Sequence, residues 1–107
     1  MRQLVAAAIS KPADRTARHL GRLVRDARLA RKMPQSELAL RAKTSIPTVR
    51  RIEGGAPETS LGIWLAVMEQ VGLLPRLAAL DDPATRAMLS EHRPKRARRS
   101  ATDDLDF

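Results

Sequence analysis

Residues 34–55 read PQSELALRAKTSIPTVRRIEGG, and this stretch decides the fold. Its apolar residues recur at helical spacing in two runs, which predict one helix over residues 35–42 and a second over roughly residues 45–53. The two residues between the runs form a tight turn. Ser45 is a favourable N-cap for the second helix, which should end at Gly54. The side chains expected to face inward are Leu38, Ala39, Ala42, Val49 and Ile52.

The flanking sequence predicts three more helices. The first begins at Asp14, after Pro12 has interrupted the N-terminal segment, and is broken at Met33-Pro34. The next covers about residues 59–71, and the last covers residues 83–91. Their apolar stripes are Ala17, Leu20, Val24 and Ala27 in the first, and Leu61, Trp64, Leu65, Met68 and Val71 in the second.

We therefore predict an all-α domain of five helices over residues 16–91, preceded by an N-terminal arm at residues 1–15. Residues 76–80 fit either a short strand or a further helical turn. Residues 92–107 are a basic run followed by an acidic one. They contain too little apolar surface to pack alone and are expected to be a disordered tail.

The net charge of +8 is concentrated in the first half of the chain. Residues 1–55 hold 13 Lys or Arg against 4 Asp or Glu, whereas residues 56–91 hold 2 against 5. Such asymmetry indicates a basic face suited to a polyanion. Because Trp64 and Phe107 are the only aromatic residues, the composition disfavours a binder of single-stranded nucleic acid, which would stack bases on aromatic side chains.

The composition disfavours several other classes of function. The chain has no cysteine, and His19 and His92 have no partners at the spacing of a metal site or a catalytic triad. We expect no enzyme activity, no cofactor and no metal. The apolar run at residues 4–9 is too short for a signal peptide or a membrane span, so a cytoplasmic, nucleoid-associated protein is expected.

The stretch at residues 34–55 resembles the helix-turn-helix of the lambdoid-repressor (Xre) family. The resemblance implies a lambda-repressor-like domain whose second helix of the pair enters the major groove of DNA. It also implies that Arg28 and Glu53 form a structural ion pair. The residues in register with the family pattern are Gln35, Leu38, Ala39, Ala42, Ser45, Thr48, Ile52, Glu53 and Gly55.

The same resemblance assigns DNA contacts. In the family, the positions of Ile46, Pro47, Arg50 and Arg51 face base edges. An arginine there reads guanine or contacts phosphate, and both alternatives are open. Thr48 touches phosphate or packs. The full set of expected DNA-binding residues is Gln35, Lys43, Ser45, Ile46, Pro47, Thr48, Arg50 and Arg51.

Two positions depart from the family pattern. Lys43 stands where the turn usually has glycine at positive φ, so either the turn differs or about 1 kcal/mol of strain is tolerated. A lysine there also offers an ammonium group to phosphate. Pro34 replaces the usual Ser or Thr cap, which should weaken that helix end by roughly 1 kcal/mol.

Residues 72–83 and 98–107 resemble HipB-type antitoxins. Those proteins bind a HipA-type serine/threonine kinase toxin and repress their shared operon as dimers. The resemblance implies a short strand that pairs across the dimer, which would fit residues 76–80. It also implies that the C-terminal peptide, with Leu105 and Phe107, contacts the toxin. A solubilising end is the simpler alternative for this tail.

Three functions therefore stay open: a HipB-like antitoxin and operon repressor, a stand-alone Xre-type regulator without a toxin, and an adaptor that binds protein or RNA. For either regulator we expect a homodimer on a palindromic operator, because one helix-turn-helix covers only a half-site. The apolar residues proposed for the two-fold interface are Trp64, Leu73, Leu74, Leu77 and Leu80.

Overall fold

The computed structural model describes residues 8–92, and this part of the chain is all-helical, without a strand. The predicted all-α class is confirmed for this range. The predicted tail lies almost wholly outside the described residues. The helices are α1 (Lys11–Ala30), α2 (Gln35–Arg41), α3 (Ile46–Glu53), α4 (Leu61–Gln70), α5 (Leu74–Ala78) and α6 (Pro83–Glu91).

Helix α1 begins three residues before its expected start. The Ser10 side chain accepts a hydrogen bond from the backbone N–H of Ala13 at 3.2 Å, which makes Ser10 the N-cap. Pro12 lies in the first turn, where its missing N–H has no helical acceptor to lose. The expected start at Asp14 was therefore wrong, because Pro12 belongs to the first turn of this helix.

Residues 76–78 lie in helix α5, and residues 79 and 80 follow its end. The structure therefore has the helical turn and not the dimer-pairing strand. Pro75 sits in the first turn of α5, and the N–H of Ala79 donates to the Pro75 carbonyl at 3.0 Å. Leucine, arginine and alanine are strong helix formers, so the local sequence favours this turn. Between Lys11 and Glu91, helix α5 is the one element added to the five predicted helices.

Four helices end in the same way, with the residue after the cap in the left-handed region. These residues are Lys32, Lys43, Gly55 and Gly72, with φ of 52°, 58°, 77° and 81°. After α2, the Lys43 N–H donates to the Leu40 carbonyl and the next N–H donates to the Ala39 carbonyl, the pattern of a Schellman motif. The sequence left open whether the turn differs or Lys43 adopts a positive φ. The structure has the positive φ, at a cost in strain of about 1 kcal/mol.

The core of the described residues lies where α1, α2, α3 and α4 meet. Trp64 is 9% exposed and belongs to this core, so little of its side chain is left at the surface for the expected dimer interface. Leu61, expected inside, is 69% exposed, and Val67 is buried instead. The buried apolar side chains are Val24, Met33, Leu38, Ala39, Val49, Ile52, Trp64, Val67, Met68 and Val71.

Helices α1 and α3 approach so closely that glycine is required on both sides. A Cβ placed on Gly21 would lie 2.5 Å from the Ile52 carbonyl oxygen and 2.7 Å from that of Glu53. A Cβ on Gly55 would lie 2.5 Å from the Cα of Arg18. This contact fixes the end of α3 against the middle of α1.

Candidate nucleic-acid interface

Helix α3 has one face in the core and the other at the surface. Val49 and Ile52 are fully buried. Pro47 and Arg50, three positions apart, are exposed, and Arg51 is half-buried beside them. The face opposite the core therefore carries two arginines, and no residue of that face is acidic.

The beginning of α3 is held by a small hydroxyl network. The Ser45 side chain accepts from the Thr48 backbone N–H at 3.2 Å and shares a hydrogen bond of 2.9 Å with the Thr48 hydroxyl. A terminal nitrogen of Arg51 donates to that same hydroxyl at 3.1 Å. Because Thr48 is 9% exposed, its hydroxyl orients Arg51 and offers little surface to an external ligand.

Arg28 and Glu53 form a buried ion pair with two contacts. Arg28 donates from Nε to Glu53 Oε2 at 2.6 Å and from Nη2 to Oε1 at 3.1 Å. Its Nη1 donates to the Met33 carbonyl at 2.8 Å. The two side chains are 9% and 5% exposed. The pair joins α1 to the last residue of α3 and to the turn before α2.

Gln35 connects this buried pair to the exposed surface of α3. Its Nε2 donates to Glu53 Oε1 at 3.0 Å, and its Oε1 accepts from Arg50 Nε at 3.3 Å. Within residues 8–92, Arg50 makes this one side-chain hydrogen bond, so its terminal nitrogens retain their donors. The result is a continuous chain from Arg28 through Glu53 and Gln35 to Arg50.

The sequence did not predict this role of Gln35, which was expected only to contact DNA. No local signal reveals it, because Gln35 lies 18 and 15 positions from its two partners. The sequence offers one weak hint of a hydrogen-bonding role for Gln35: it is an amide at the first position of a helix that has no side-chain cap. Pro34 indeed provides no capping hydrogen bond to α2.

The other expected contact residues differ in how much surface they offer. Lys43 and Ser45 are exposed in the turn before α3. Ile46 is half-buried and packs against the core, which leaves only part of its side chain at the surface. Beside α3 lies a cleft of about 180 Å³ lined by Thr48, Arg51, Glu58, Thr59, Ser60 and Ile63.

Helix α1 carries further exposed cations. Its arginines at positions 15, 18, 22 and 25 are exposed. Arg18 is engaged by Asp14 at 3.0 Å in an exposed pair of the i, i+4 type. Since the backbone of Arg18 lies against Gly55, this part of α1 adjoins the end of α3.

Other kinds of site find no support in the part of the chain that the structure describes. None of its helices has the length and apolar character to span a bilayer. Residues 8–92 hold no cluster of three His, Asp or Glu that would bind a metal ion. Leu105 and Phe107, the expected partner-binding residues, lie outside the described residues. No model of a known protein family, no curated protein and no solved structure matches this chain.

Proposed function

We propose that this protein is a sequence-specific transcriptional repressor that binds double-stranded DNA through a helix-turn-helix formed by α2 and α3. The observation that carries the proposal is the two-sided character of α3. Val49 and Ile52 anchor one face, while Pro47, Arg50 and Arg51 are presented on the other. A short helix held in this way is the element that enters a major groove and reaches base edges.

The anchoring of Arg50 supports direct base contact over a loose electrostatic one. A guanidinium reads guanine through two parallel hydrogen bonds, which requires a fixed direction. Gln35 holds the Nε of Arg50, and Gln35 is itself held by the buried Glu53. This arrangement reduces the conformational entropy that Arg50 loses when it binds a base.

The exposed cations of α1 and the turn residue Lys43 serve the phosphate backbone in this proposal. Contacts of this kind release counterions, so they add affinity that falls steeply with salt and carries no sequence information. Residues 1–55, with 13 Lys or Arg against 4 Asp or Glu, supply the necessary charge. We place the repressor in the cytoplasm, bound to the nucleoid as a homodimer on a palindromic operator.

Arg50→Ala and Arg51→Ala should each weaken specific DNA binding by about 1–3 kcal/mol, and at least one should relax the base preference. Lys43→Ala is the matched control, because loss of a phosphate contact weakens specific and random duplexes equally and lowers the salt dependence. A preferred duplex selected from a randomised library and a random duplex are titrated at several salt concentrations. If neither arginine variant changes the ratio of the two affinities, α3 is not the reading helix.

We further propose that the repressor is the antitoxin of a HipA-like serine/threonine kinase toxin. The support is the resemblance of residues 72–83 and 98–107 to HipB-type antitoxins, together with a C-terminal peptide that carries Leu105 and Phe107 among aspartates. Burial of these two side chains on the kinase would contribute roughly 1.5–3 kcal/mol each, less the cost of ordering the peptide. The aspartates would mainly raise the rate of association.

Deletion of residues 103–107 should weaken binding to the kinase encoded by a neighbouring gene, and it should leave DNA affinity within a factor of about three. Calorimetry with the kinase and a DNA titration of the same variant measure the two quantities. An unchanged kinase affinity, or the absence of a kinase gene beside this one, would instead favour a stand-alone Xre-type regulator.

A further inference from the structure

Helix α6 buries none of its own residues. All nine positions of Pro83–Glu91 are exposed, with Met88 at 61% and Leu89 at 62%. Its supports are local: Asp82 accepts from the backbone and side chain of Thr85, and Arg86 pairs with Asp81 at 2.8 Å. These hydrogen bonds to the charged form of Asp82 hold the pKa of its carboxyl below the usual value. A helix of this length is marginal in water without tertiary contacts, so α6 needs a surface to pack on.

The structure also contains an apolar groove, near the start of α6, that no helix of residues 8–92 fills. It lies between α1, α4 and α5, measures about 360 Å³, and is called here the Leu77 groove. Leu80, at its edge, is 84% exposed, and Leu23 is 37% exposed. Its lining is apolar apart from Thr16 and Arg76. The apolar members are Leu20, Leu23, Met68, Leu73, Leu77 and Leu80.

The exposed face of α6 matches this groove in chemistry. Ala84, Ala87 and Met88 lie on one face by their i, i+3 and i+4 spacing, while Arg86, Leu89 and Ser90 lie on the other sides of the helix. A face of two alanines and a methionine allows close approach to a leucine-lined groove, with the flexible methionine filling its depth. Glu91, at the end of this face, has an opposite charge in Arg76 on the groove.

We propose that α6 of one copy of this chain docks in the Leu77 groove of a second copy, and that the second copy returns the same contact. The occupant is a second copy because all nine positions of α6 are exposed, so α6 does not fill the groove of its own chain, and because Glu91 of α6 has an opposite charge in Arg76 on the groove. The two reciprocal contacts form a two-fold dimer in which the α6 face and the Leu77 groove of each copy are both buried. This inference deepens the proposed function, since it rests on the repressor being a dimer and supplies the interface.

The first test is sedimentation equilibrium of the full chain without DNA. The wild-type chain is expected to dimerise at micromolar concentration, and Met88→Asp should raise the dimer Kd at least about tenfold, because it places a charge in the groove. Ser90→Asp is the matched control: it adds the same charge to the opposite face and leaves the Kd unchanged. Since Met88 and Ser90 are both exposed in this structure, neither substitution disturbs the packing of the monomer. A monomer at 100-fold higher concentration, or equal effects of the two variants, would overturn the proposal.

The second test uses the absence of cysteine from the chain. A Met88→Cys chain mixed with a Leu23→Cys chain should form a disulfide-linked heterodimer on oxidation, whereas Ser90→Cys with Leu23→Cys should not. Disulfide formation only within the Met88→Cys/Leu23→Cys double variant would place α6 in its own groove and overturn the exchange. Neither assay contains DNA. A chain that fails both and still prefers one duplex sequence would retain its DNA-binding function and lose only this interface.

Discussion

Replacement of Glu53 by glutamine is expected to cost about 3–5 kcal/mol of folding stability. The substitution keeps the size of the side chain and removes its charge, so the Arg28 guanidinium stays buried without a counter-ion. Both side chains are less than a tenth exposed, and Glu53 accepts three hydrogen bonds, two from Arg28 and one from Gln35. Water has little access to these partners, because the two charged side chains are almost fully covered. Since small domains are stable by only about 5–15 kcal/mol, the loss is a large fraction of the total.

A matched control is available on the surface of α2. Glu37 pairs with Arg41 at 2.6 Å, but their side chains are 40% and 54% exposed. Glu37→Gln should therefore cost no more than about 0.5 kcal/mol. Urea denaturation of the two variants and the wild type measures the difference. Equal losses for Glu53→Gln and Glu37→Gln would show that the buried pair contributes no more than a surface pair.

A double variant separates the contribution of the ion pair to stability from the cost of leaving one of its charges unpaired. Arg28→Met combined with Glu53→Met removes both charges and leaves no unpaired ion, so it should lose less than either Arg28→Met or Glu53→Gln alone. The same variants probe the link to Arg50. If Gln35 transmits the position of Glu53 to Arg50, the double variant should fold and still show reduced discrimination between duplex sequences.

Local signals in the sequence were sufficient where a single residue governs a backbone conformation. The Ser45 cap and the end of α3 at Gly54-Gly55 both follow from short-range geometry, and the structure contains each of them. The start of α1 follows the same rule, since Ser10 caps it three residues before the predicted start and Pro12 lies in its first turn.

Side chains whose environment depends on distant helices were harder to predict. Helix α4 is apolar on most of its circumference, so periodicity does not distinguish an exposed Leu61 from a buried Val67. Residues 76–80 are too few to show a period, which left strand and helix open. The Gln35 bridge and the Gly21 contact need the packing of three helices, which no single stretch of sequence encodes.

Replacement of Gly21 by alanine is expected to destabilise the fold by about 3 kcal/mol, although alanine is the better helix former by about 1 kcal/mol. The added Cβ would meet the carbonyl oxygens of Ile52 and Glu53 and the backbone nitrogen of Gly55, all within 2.9 Å. These are backbone atoms at the end of α3, so no side chain can rotate away. The contact can be relieved only by moving α1 and α3 apart, which opens the core at Val24 and Ile52.

Gly62 provides the control, because it is also helical and a Cβ there meets nothing within 4 Å. Gly62→Ala should leave stability unchanged or raise it by up to about 1 kcal/mol. For a domain of this size, a loss of 3 kcal/mol lowers Tm by roughly 12–24 °C, a difference that calorimetry resolves easily. If Gly21→Ala melted with or above Gly62→Ala, the close approach of α1 and α3 would be wrong. If it melted lower as expected, the residual folded protein should also bind its preferred duplex less well, because the displaced end of α3 carries Glu53 and, through Gln35, the position of Arg50.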